Sequence, residues 1–285
     1  MRVAFCDCHM HMVLDGRDWK QAIGRHNPVP DEKYIREILT RYRDLGYAYL
    51  RDGGDRWGAG KLAREVGAEM GIIYRTPLSP LCKAGHYGAF IGEKFASLDE
   101  YARLVKKQRE NGADFIKIMI SGLMDFDRFG VLTEEGLSPS EIREMIHIAH
   151  QEGMAVMAHA NGAGTVEAAA AAGLDSVEHG AYLDDDALAA MAQMGTVWVP
   201  TLSTIGNLRG KGRFSELAVQ QILDSALENV AKFAALGGLI ACGSDAGAWA
   251  VPHGCQSEMH WLSMALGQNA EGIAARGNQK IRDTF

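Results

Sequence analysis

Two histidines stand two residues apart near the start of the chain, in the segment FCDCHMHM at positions 5–12. His9 and His11 point to the same side if this segment is a strand, because successive side chains alternate between the two faces. Imidazole is a frequent ligand of zinc and other divalent metals. We interpret the pair either as part of a metal site or as two incidental polar residues, depending on whether the chain supplies partners.

Four more polar residues lie in or directly after short apolar runs. They are Lys117 in FIKIMI, His159 in AVMAHA, His179 in SVEHG and Asp245 after LIACGS. Taken singly, His159 and His179 are more typical of structural or exposed loop residues than of metal ligands, and Asp245 is typical of a turn in which it caps a helix. Their occurrence in order, each on its own strand-like segment, indicates a common site.

Lys117 is the most informative of these residues about function, because burying an unpaired lysine ammonium costs a large amount of free energy. One interpretation gives it a carboxylate partner, with Asp7 and Glu178 as candidates. Another gives it a lowered pKa and a nucleophilic amine, which either captures carbon dioxide as a carbamate or forms a Schiff base. The surrounding histidines and Asp245 favour a carbamate that bridges two metals.

Cysteine usage indicates a reducing compartment and predicts a cytoplasmic protein, since an odd number of cysteines in a chain of this length argues against a disulfide framework. The five cysteines are Cys6, Cys8, Cys82, Cys242 and Cys255. Strand alternation places Cys6 and Cys8 opposite His9 and His11. We therefore expect these two cysteines to pack against helices rather than to join a mixed zinc site.

Composition excludes several classes of function. The 285 residues are 47% apolar and 23% charged, and the formal net charge is −7. Without a basic cluster, nucleic acid and anionic membrane are poor partners, and a small-molecule substrate is expected. We find no signal-peptide pattern and no apolar run of about 18 residues that would span a bilayer.

Short apolar runs alternate with longer amphipathic ones along the whole chain. The predicted strands are 3–9, 47–52, 72–77, 115–120, 155–160, 176–180, 196–201 and 239–244. The predicted helices are about 31–45, 59–69, 97–111, 138–152, 163–172, 184–194, 214–235 and 256–267. Eight such units predict an α/β fold, a closed (β/α)8 TIM barrel formed as a single domain over residues 1–285, rather than an open doubly wound sheet. In such barrels the carboxyl ends of the strands carry the chemistry, and that is where the polar residues fall.

The ordered pattern of His9-x-His11, Lys117, His159, His179 and Asp245 resembles the amidohydrolase superfamily over nearly the whole chain. The segments KIMISG, AHANG, SVEHG, VPTL and GSDAG look like its imidazolonepropionase and metal-dependent prolidase branch. The resemblance implies two divalent metal ions, usually zinc. It places His9, His11 and Asp245 on one ion and His159 and His179 on the other, with Lys117 as the bridging carbamate.

The resemblance also implies an activity, in which a metal-bridging hydroxide hydrolyses an amide or peptide-type C–N bond. The substrate would be a dipeptide, an N-acyl amino acid or a cyclic amide. Asp245 would carry the proton to the leaving nitrogen, and His86 in AGHYG would contact the scissile carbonyl. Most of that branch has an added β-sandwich built from both chain ends, whereas a barrel without one is expected here, since strand one is predicted to begin near residue 3 and the last helix is predicted near the end of the sequence.

Specificity is expected from the loops that follow the strands. Arg209, with Lys211 and Arg213 in LRGKGR, is a candidate for holding a substrate carboxylate, although a solvated basic loop explains the segment equally well. His253 in VPHG is a second candidate for the pocket. A homo-oligomer is the default expectation for such a chain.

Other functions remain open at this point. The same site suits a lactonase or a phosphotriesterase, and a mononuclear deaminase would leave Lys117 without a bridging role. A non-catalytic barrel that binds a small molecule is the alternative from another class. Metal content separates these classes, and a substrate panel separates the enzymes.

Overall fold

Parallel strands form the centre of the protein in a computed structural model that describes residues 5–285. Each sheet strand pairs with its neighbours in parallel. The strands are β1 Phe5–Met10, β2 Tyr47–Asp52, β3 Ile73–Arg75, β4 Leu81–Lys83, β5 Glu93–Phe95, β6 Ile116–Met119, β7 Val156–Ala160, β8 Ser176–His179, β9 Val197–Val199 and β10 Leu239–Ile240. Their neighbour order is β1-β2-β3 in one sheet and β10-β9-β8-β7-β6-β4-β5 in the other.

Backbone hydrogen bonds join the two sheets into a closed ring. On one side the chain after β10 bonds to β1, through the Cys8 amide on the Cys242 carbonyl and the Asp245 amide on the His9 carbonyl. On the other side the Asp114 amide donates to the Thr76 carbonyl, which connects the segments next to β3 and β6. The predicted (β/α)8 barrel is therefore confirmed, and β4 and β5 are additions between its third and fourth barrel strands.

Helices cover the outside of this ring. They are α1 Trp19–Arg25, α2 Glu32–Asp44, α3 Ala59–Glu69, α4 Leu98–Glu110, α5 Pro139–Gln151, α6 Ala163–Ala171, α7 Asp185–Met194, α8 Ser203–Gly206, α9 Glu216–Ala235, α10 Ser257–Leu266 and α11 Ala270–Thr284. Serine caps start several of them as the sequence indicates: Ser97 accepts a hydrogen bond from the Glu100 amide, and Ser138 accepts one from the Glu141 amide.

Three of these helices were not predicted, namely α1, α8 and α11. The last of them follows the eighth predicted helix and closes the amino end of the barrel, where Ile281 and Phe285 pack in one cluster with Cys6 and Cys8. Cys8 Sγ lies 3.4 Å from Asn278 Oδ1 of α11, so a helix does cover this cysteine. The expectation that Cys6 and Cys8 lie opposite the histidines is wrong, because the register of β1 shifts between Asp7 and Met10 and both cysteines pack with Met157, on the inner face of β7.

The remaining predictions about the fold concern the start of strand one, an added β-sandwich, membrane-spanning helices and disulfides. The predicted start of strand one, at residues 3 and 4, lies outside the described residues. Within residues 5–285 every pair of named strands is parallel, so no antiparallel sandwich accompanies the barrel there. None of the helices in this range has both the length and the apolar run that a bilayer span requires. All five cysteines are free thiols.

Candidate metal centre

A cavity of about 720 Å³ opens at the carboxyl ends of the barrel strands. Its volume is within the range of about 300–1,000 Å³ that is usual for small-molecule sites. All six residues that the sequence singled out as ligands line it: His9, His11, Lys117, His159, His179 and Asp245. The structure therefore brings together residues that are up to 236 positions apart in the chain.

His9, His11 and Asp245 form the most compact group in this cavity. His9 Nε2 lies 3.3 Å from His11 Nε2, and Asp245 Oδ1 lies 3.5 Å from the former and 3.3 Å from the latter. Ligands held at about 2.1 Å on the corners of a tetrahedron are about 3.4 Å apart, so the three atoms have the spacing that a zinc ion requires. This triangle is the one potential metal site that geometry alone identifies among the described residues.

A buried network fixes the orientation of His9. Its Nδ1 donates to Glu178 Oε2 at 2.7 Å, which leaves the lone pair of Nε2 directed into the triangle. Glu178 Oε1 in turn accepts from Arg51 at 2.8 Å and from Ser176 Oγ at 2.7 Å. Arg51 and Glu178 are both fully buried. Histidine ligands of metals typically have such a carboxylate behind them, which holds the tautomer and raises the basicity of the ligand nitrogen.

His159 and His179 form the second group. Their ring centroids are 4.6 Å apart, and the His179 ring is 5.2 Å from that of His9. The Nε2 of His159 donates to the Gly122 carbonyl at 3.1 Å, and the Nδ1 of His179 donates to Thr201 Oγ1 at 2.7 Å. Each ring thus retains one nitrogen with a free lone pair, as a metal ligand must.

Lys117 lies between these groups without a bonding partner. It is 1% exposed, and its Nζ has no hydrogen-bond partner among the described residues. Neither carboxylate that the sequence offered as a partner bonds it, because Asp7 accepts from Ser244 and Glu178 accepts from Arg51. Burial lowers the pKa of Lys117 to about 8, against the opposing effect of the Glu178 carboxylate. A neutral amine is therefore accessible near neutral pH, and such an amine is the form that reacts with carbon dioxide.

The histidines are held neutral in the same surroundings. Burial lowers the pKa of His11 and of His159 to about 3, and it lowers the pKa values of His9 and His179 well below the ordinary range. Charge repulsion from Lys117 contributes to the lowering in all four. Neutral imidazole is the form that binds metals.

Asp245 responds to burial in the opposite direction, since loss of water raises its carboxyl pKa to about 8. Its Oδ1 makes no hydrogen bond among residues 5–285. His11 Nδ1 is a further buried atom without a hydrogen-bond partner in that range. Unpaired buried polar atoms are rare in folded proteins, and a divalent cation would compensate the charge of the Asp245 carboxylate. The donor set therefore fits a metal.

The backbone is strained at the same positions. His179, Asp245 and Thr201 have φ values of 70°, 57° and 49°, in the left-handed region that residues with side chains seldom adopt. Each such residue costs about 1–3 kcal/mol, and strain of this kind concentrates at functional sites. Of these three residues, His179 and Asp245 line the cavity, and Thr201 supports the ring of His179.

His86 does not line the cavity. Its Nδ1 lies 3.8 Å from Glu134 Oε1, and its side chain is about one-third exposed. The next residue, Tyr87, lines the cavity instead, with its ring centroid 4.7 Å from that of His159. Burial raises the pKa of the Tyr87 phenol, and the Asp245 carboxylate adds to this effect, so the phenol remains a neutral donor. The sequence signal for this tyrosine was only its place beside a histidine.

Two further residues predicted to contact the substrate, Arg209 and His253, do not line the cavity. Arg209 and Arg213 are both exposed, but Arg213 lines the cavity and Arg209 does not. His253 is buried away from the cavity, where its Nε2 donates to the Leu14 carbonyl at 2.8 Å. The candidate that geometry supports for an anionic group is therefore Arg213.

Comparison with known families agrees with this arrangement. A model of the amidohydrolase family matches residues 68–274. Among curated proteins, the ochratoxinase of Aspergillus niger is 28% identical over 277 residues, which cover 84% of this chain and 56% of that protein. The chain thus spans little more than half the length of this relative.

Solved structures share the fold. A Xaa-Pro dipeptidase with methionine bound in its active site has a TM-score of 0.79 at 20% identity, over 98% of this chain and 75% of the other. The A. niger ochratoxinase structure has a TM-score of 0.73 at 21% identity, over 98% of this chain and 69% of the other.

Proposed function

The chain belongs to the amidohydrolase family, and on that premise we propose that it is a metal-dependent hydrolase that cleaves an amide or peptide-type C–N bond in a small substrate. The observation that carries this proposal is the convergence of four neutral histidines, Asp245 and an unpartnered buried lysine on one cavity. Such a donor set suits metal binding and has no evident structural use.

The residues would hold two divalent ions, for which zinc suits the nitrogen-rich donor set. His9, His11 and Asp245 would hold one ion, and His159 and His179 would hold the other. Lys117, as its carbamate, would bridge them with a carboxylate on a long stem. When bound, such an ion pair supplies a water of lowered pKa and a Lewis acid for the carbonyl.

The side chains of this protein account for the proton transfers. Asp245 would take the proton of the attacking water, because its carboxyl group lines the cavity beside His9 and His11. The same carboxyl group would return the proton to the leaving nitrogen.

Tyr87 would donate a hydrogen bond to the oxygen that gains charge in the transition state. The ring packs against His159, so the phenol is positioned by a residue of the candidate centre itself. A donor that is already oriented needs no reorganisation during the reaction, and removal of one such donor typically costs about 100-fold or more in kcat.

The similarity to an ochratoxinase and to the fold of a Xaa-Pro dipeptidase supports hydrolysis of a C–N bond. We therefore propose dipeptides, N-acyl amino acids and cyclic amides as the substrate class. The five free cysteines support the cytoplasm as the proposed compartment.

The test is metal content followed by a substrate panel. Protein purified without chelator in the presence of bicarbonate should contain about two divalent ions per chain. It should hydrolyse members of an amide panel, and Asp245→Asn should abolish turnover while the exposed control Asp186→Asn leaves it unchanged. Absence of metal after reconstitution with zinc or manganese would overturn the proposal. Turnover of lactones or phosphotriesters, without turnover of any amide, would show that the enzyme cleaves an ester bond rather than a C–N bond.

A further inference from the structure

Asp7 and Ser244 form a buried contact directly behind two of the candidate ligands. Asp7 lies on β1, two residues before His9, and Ser244 directly precedes Asp245. Both residues are almost fully buried, and neither belongs to the cavity lining. The Ser244 hydroxyl donates to Asp7 Oδ2 at 2.6 Å, and the Ser244 amide donates to Asp7 Oδ1 at 2.9 Å. One carboxylate thus holds the residue before Asp245 by two hydrogen bonds.

The same carboxylate also holds the backbone of His9. Asp7 Oδ1 accepts a hydrogen bond of 3.3 Å from the His9 amide, in addition to the one from Ser244. Hydrogen bonds to an ionised acceptor are stronger than those between neutral groups. The backbones at His9 and Ser244 are therefore tied to one anionic group, although Ser244 comes 237 positions after Asp7 in the chain.

A further hydrogen bond closes this arrangement around Asp245. The Ser244 hydroxyl accepts from the Ala246 amide at 3.1 Å, so the two residues that flank Asp245 are joined to each other. A serine hydroxyl has one hydrogen to donate and two lone pairs that accept. Because Asp7 takes the hydrogen, a lone pair is directed to Ala246. We call the side chains of Asp7 and Ser244, together with the Ala246 amide, the Asp7 clamp.

Asp245 has a backbone conformation that requires such support. Its φ of 57° lies in the left-handed region, which residues with side chains adopt at a cost in free energy. A strained conformation persists only where the surrounding structure determines it. The Asp245 amide donates to the His9 carbonyl at 2.7 Å, which sets the position of the main chain beside β1. The direction of the Asp245 side chain depends in addition on the turn between Ser244 and Ala246.

Close packing joins this turn to the two candidate histidine ligands. A Cβ at Gly243 would lie 2.8 Å from the His9 amide nitrogen, and a Cβ at Gly247 would lie 2.6 Å from the His11 carbonyl oxygen. The His11 amide also donates to the Ala246 carbonyl at 2.7 Å. Segment 243–247 therefore lies directly against segment 9–11, and a displacement of the turn changes the spacing of the candidate ligands.

Asp7 has one further donor, which lies on a helix. The hydroxyl of Tyr42 in α2 donates to Asp7 Oδ2 at 3.4 Å. This bond is longer than those from Ser244, and it does not involve the turn that carries Asp245. Tyr42 therefore provides a matched control, because Tyr42→Phe removes a hydrogen bond from Asp7 and leaves the clamp complete.

We propose that the Asp7 clamp positions Asp245 for metal binding and proton transfer, so that Asp7 and Ser244 are positioning residues of the candidate metal centre. This inference rests on the proposed function, and it adds two residues that do not contact the substrate. Loss of the clamp would let the turn relax from its strained form and move Asp245 Oδ1 relative to His9 and His11. A displacement of about 1 Å is enough to reduce catalysis about 100-fold.

The experiment compares variants of the full chain by their zinc affinity, measured by competition with a chromogenic chelator. Ser244→Ala should weaken zinc binding about tenfold or more, as for loss of other groups that support a metal ligand. Tyr42→Phe should change the affinity less than about twofold, because its long hydrogen bond is weak. Asp245→Asn, which removes the ligand charge itself, should weaken zinc binding at least as much as Ser244→Ala. Asp7→Asn is a second clamp variant, because it keeps the shape of the side chain but replaces an acceptor by a donor, and it should change the affinity in the same direction as Ser244→Ala.

Cobalt provides a measurement that a merely structural role would not change. The visible spectrum of bound Co(II) depends on the geometry of its ligands, so Ser244→Ala should alter the spectrum of the cobalt-loaded protein and Tyr42→Phe should not. In the metal-loaded enzyme Ser244→Ala should lower kcat and leave KM nearly unchanged, as for an interaction that acts in the transition state. Equal losses of zinc affinity in Ser244→Ala and Tyr42→Phe would contradict the inference, because they would indicate a general loosening around β1.

A crystal structure of metal-free Ser244→Ala separates this inference from the proposed function. Displacement of Asp245 Oδ1 from its position beside His9 Nε2 by about 1 Å or more would support the clamp, whether or not the protein hydrolyses amides. An unchanged position would overturn the inference and leave the function in place, provided that Asp245→Asn still weakens zinc binding. Unchanged zinc affinity in Asp245→Asn would instead overturn the metal centre of the proposed function.

Discussion

The Nδ1 of His9 donates a hydrogen bond of 2.7 Å to Glu178, a residue 169 positions later in the chain. This contact decides which nitrogen of His9 faces Asp245. Glu178 is itself held by Arg51, which bonds Glu178, Ser176 and the Cys8 carbonyl from a fully buried position. The orientation of a candidate ligand is therefore set by residues that do not line the cavity.

Replacement of Glu178 by glutamine should weaken metal binding. The expected loss of affinity is about 10- to 100-fold, because the carboxylate no longer raises the basicity of His9. The measurement is a competition titration with a chromogenic chelator.

The same substitution leaves Arg51 buried without its counter-ion, which should lower the free energy of unfolding by about 3–5 kcal/mol. The double variant Arg51→Met/Glu178→Gln should recover much of that stability and none of the metal affinity. Recovery of affinity along with stability would show that Glu178 acts on the fold alone.

Gly53 should be essential for the position of His11. A Cβ at Gly53 would lie 2.1 Å from His11 Cε1, while the backbone there is not in the left-handed region. Gly53→Ala should therefore displace the imidazole and reduce the bound metal per chain, measured by mass spectrometry. Gly164→Ala is the matched control, because a Cβ there meets no atom within 4 Å. Equal metal content in the two variants would show that His11 is not a ligand.

Lys117 should take up carbon dioxide. Its amine is buried without a hydrogen-bond partner in the described residues and has a pKa of about 8, so a reactive neutral fraction exists near neutral pH. Metal loading should be faster with bicarbonate present, and isotopically labelled bicarbonate should give a carbamate signal by NMR. Lys117→Met should lose both the signal and the dependence on bicarbonate. Full metal loading without bicarbonate and without a carbamate signal would support an unmodified lysine.

Acid should destabilise the protein through His253. Burial lowers the pKa of His253 from 6.5 to about 4, so the folded protein holds this ring neutral. Above about pH 6.5 the ring is neutral in both states, and its full contribution to stability is present. As the pH falls from about 6.5 to about 4, the unfolded chain gains a proton that the folded protein does not, and stability falls by about 3 kcal/mol.

Urea unfolding at several pH values measures this effect. His253→Gln should lose less stability than the unsubstituted protein over the same interval. His150 provides a control of opposite sign, because its hydrogen bond to Asp175 raises its pKa, so the stability that it contributes falls as the pH rises. Parallel pH profiles for the unsubstituted protein and His253→Gln would contradict the prediction.

The sequence by itself determined the barrel and the set of residues at its centre. Strands buried on both faces require continuous apolar runs, so a polar residue such as Lys117 within one is conspicuous. Alternation along β1 was a wrong guide to the cysteines, because the register of β1 shifts between Asp7 and Met10, and Cys6 and Cys8 pack with Met157 on the inner side of the barrel. Seven of the eight predicted strands correspond closely to barrel strands, and the eighth, β10, is shortened because the chain after Ile240 bonds to β1 only at isolated positions.

Only the tertiary structure decided which side chains of a loop face the cavity. His86 and Tyr87 are adjacent, and Arg209 and Arg213 are only four positions apart, yet the local sequence does not determine which of them faces the cavity. Tyr87 packs against His159, and the exposed Arg213 stacks on Trp249 at the cavity lining, and both contacts come from other segments of the chain. Helix α11 was not predicted from the sequence, because glycines such as Gly277 disfavour a helix when only local sequence is considered.

Tertiary packing explains why α11 forms despite its glycines. A Cβ at Gly277 would lie 2.0 Å from the Ile240 carbonyl, so the glycine permits the helix to pack directly against β10 at the amino end of the barrel. Helical stability in proteins comes mainly from such tertiary contacts rather than from propensity. Residue types and spacing therefore predicted the chemistry of the centre, whereas contacts between remote segments determined its orientation, its supporting network and the shape of the cavity above it.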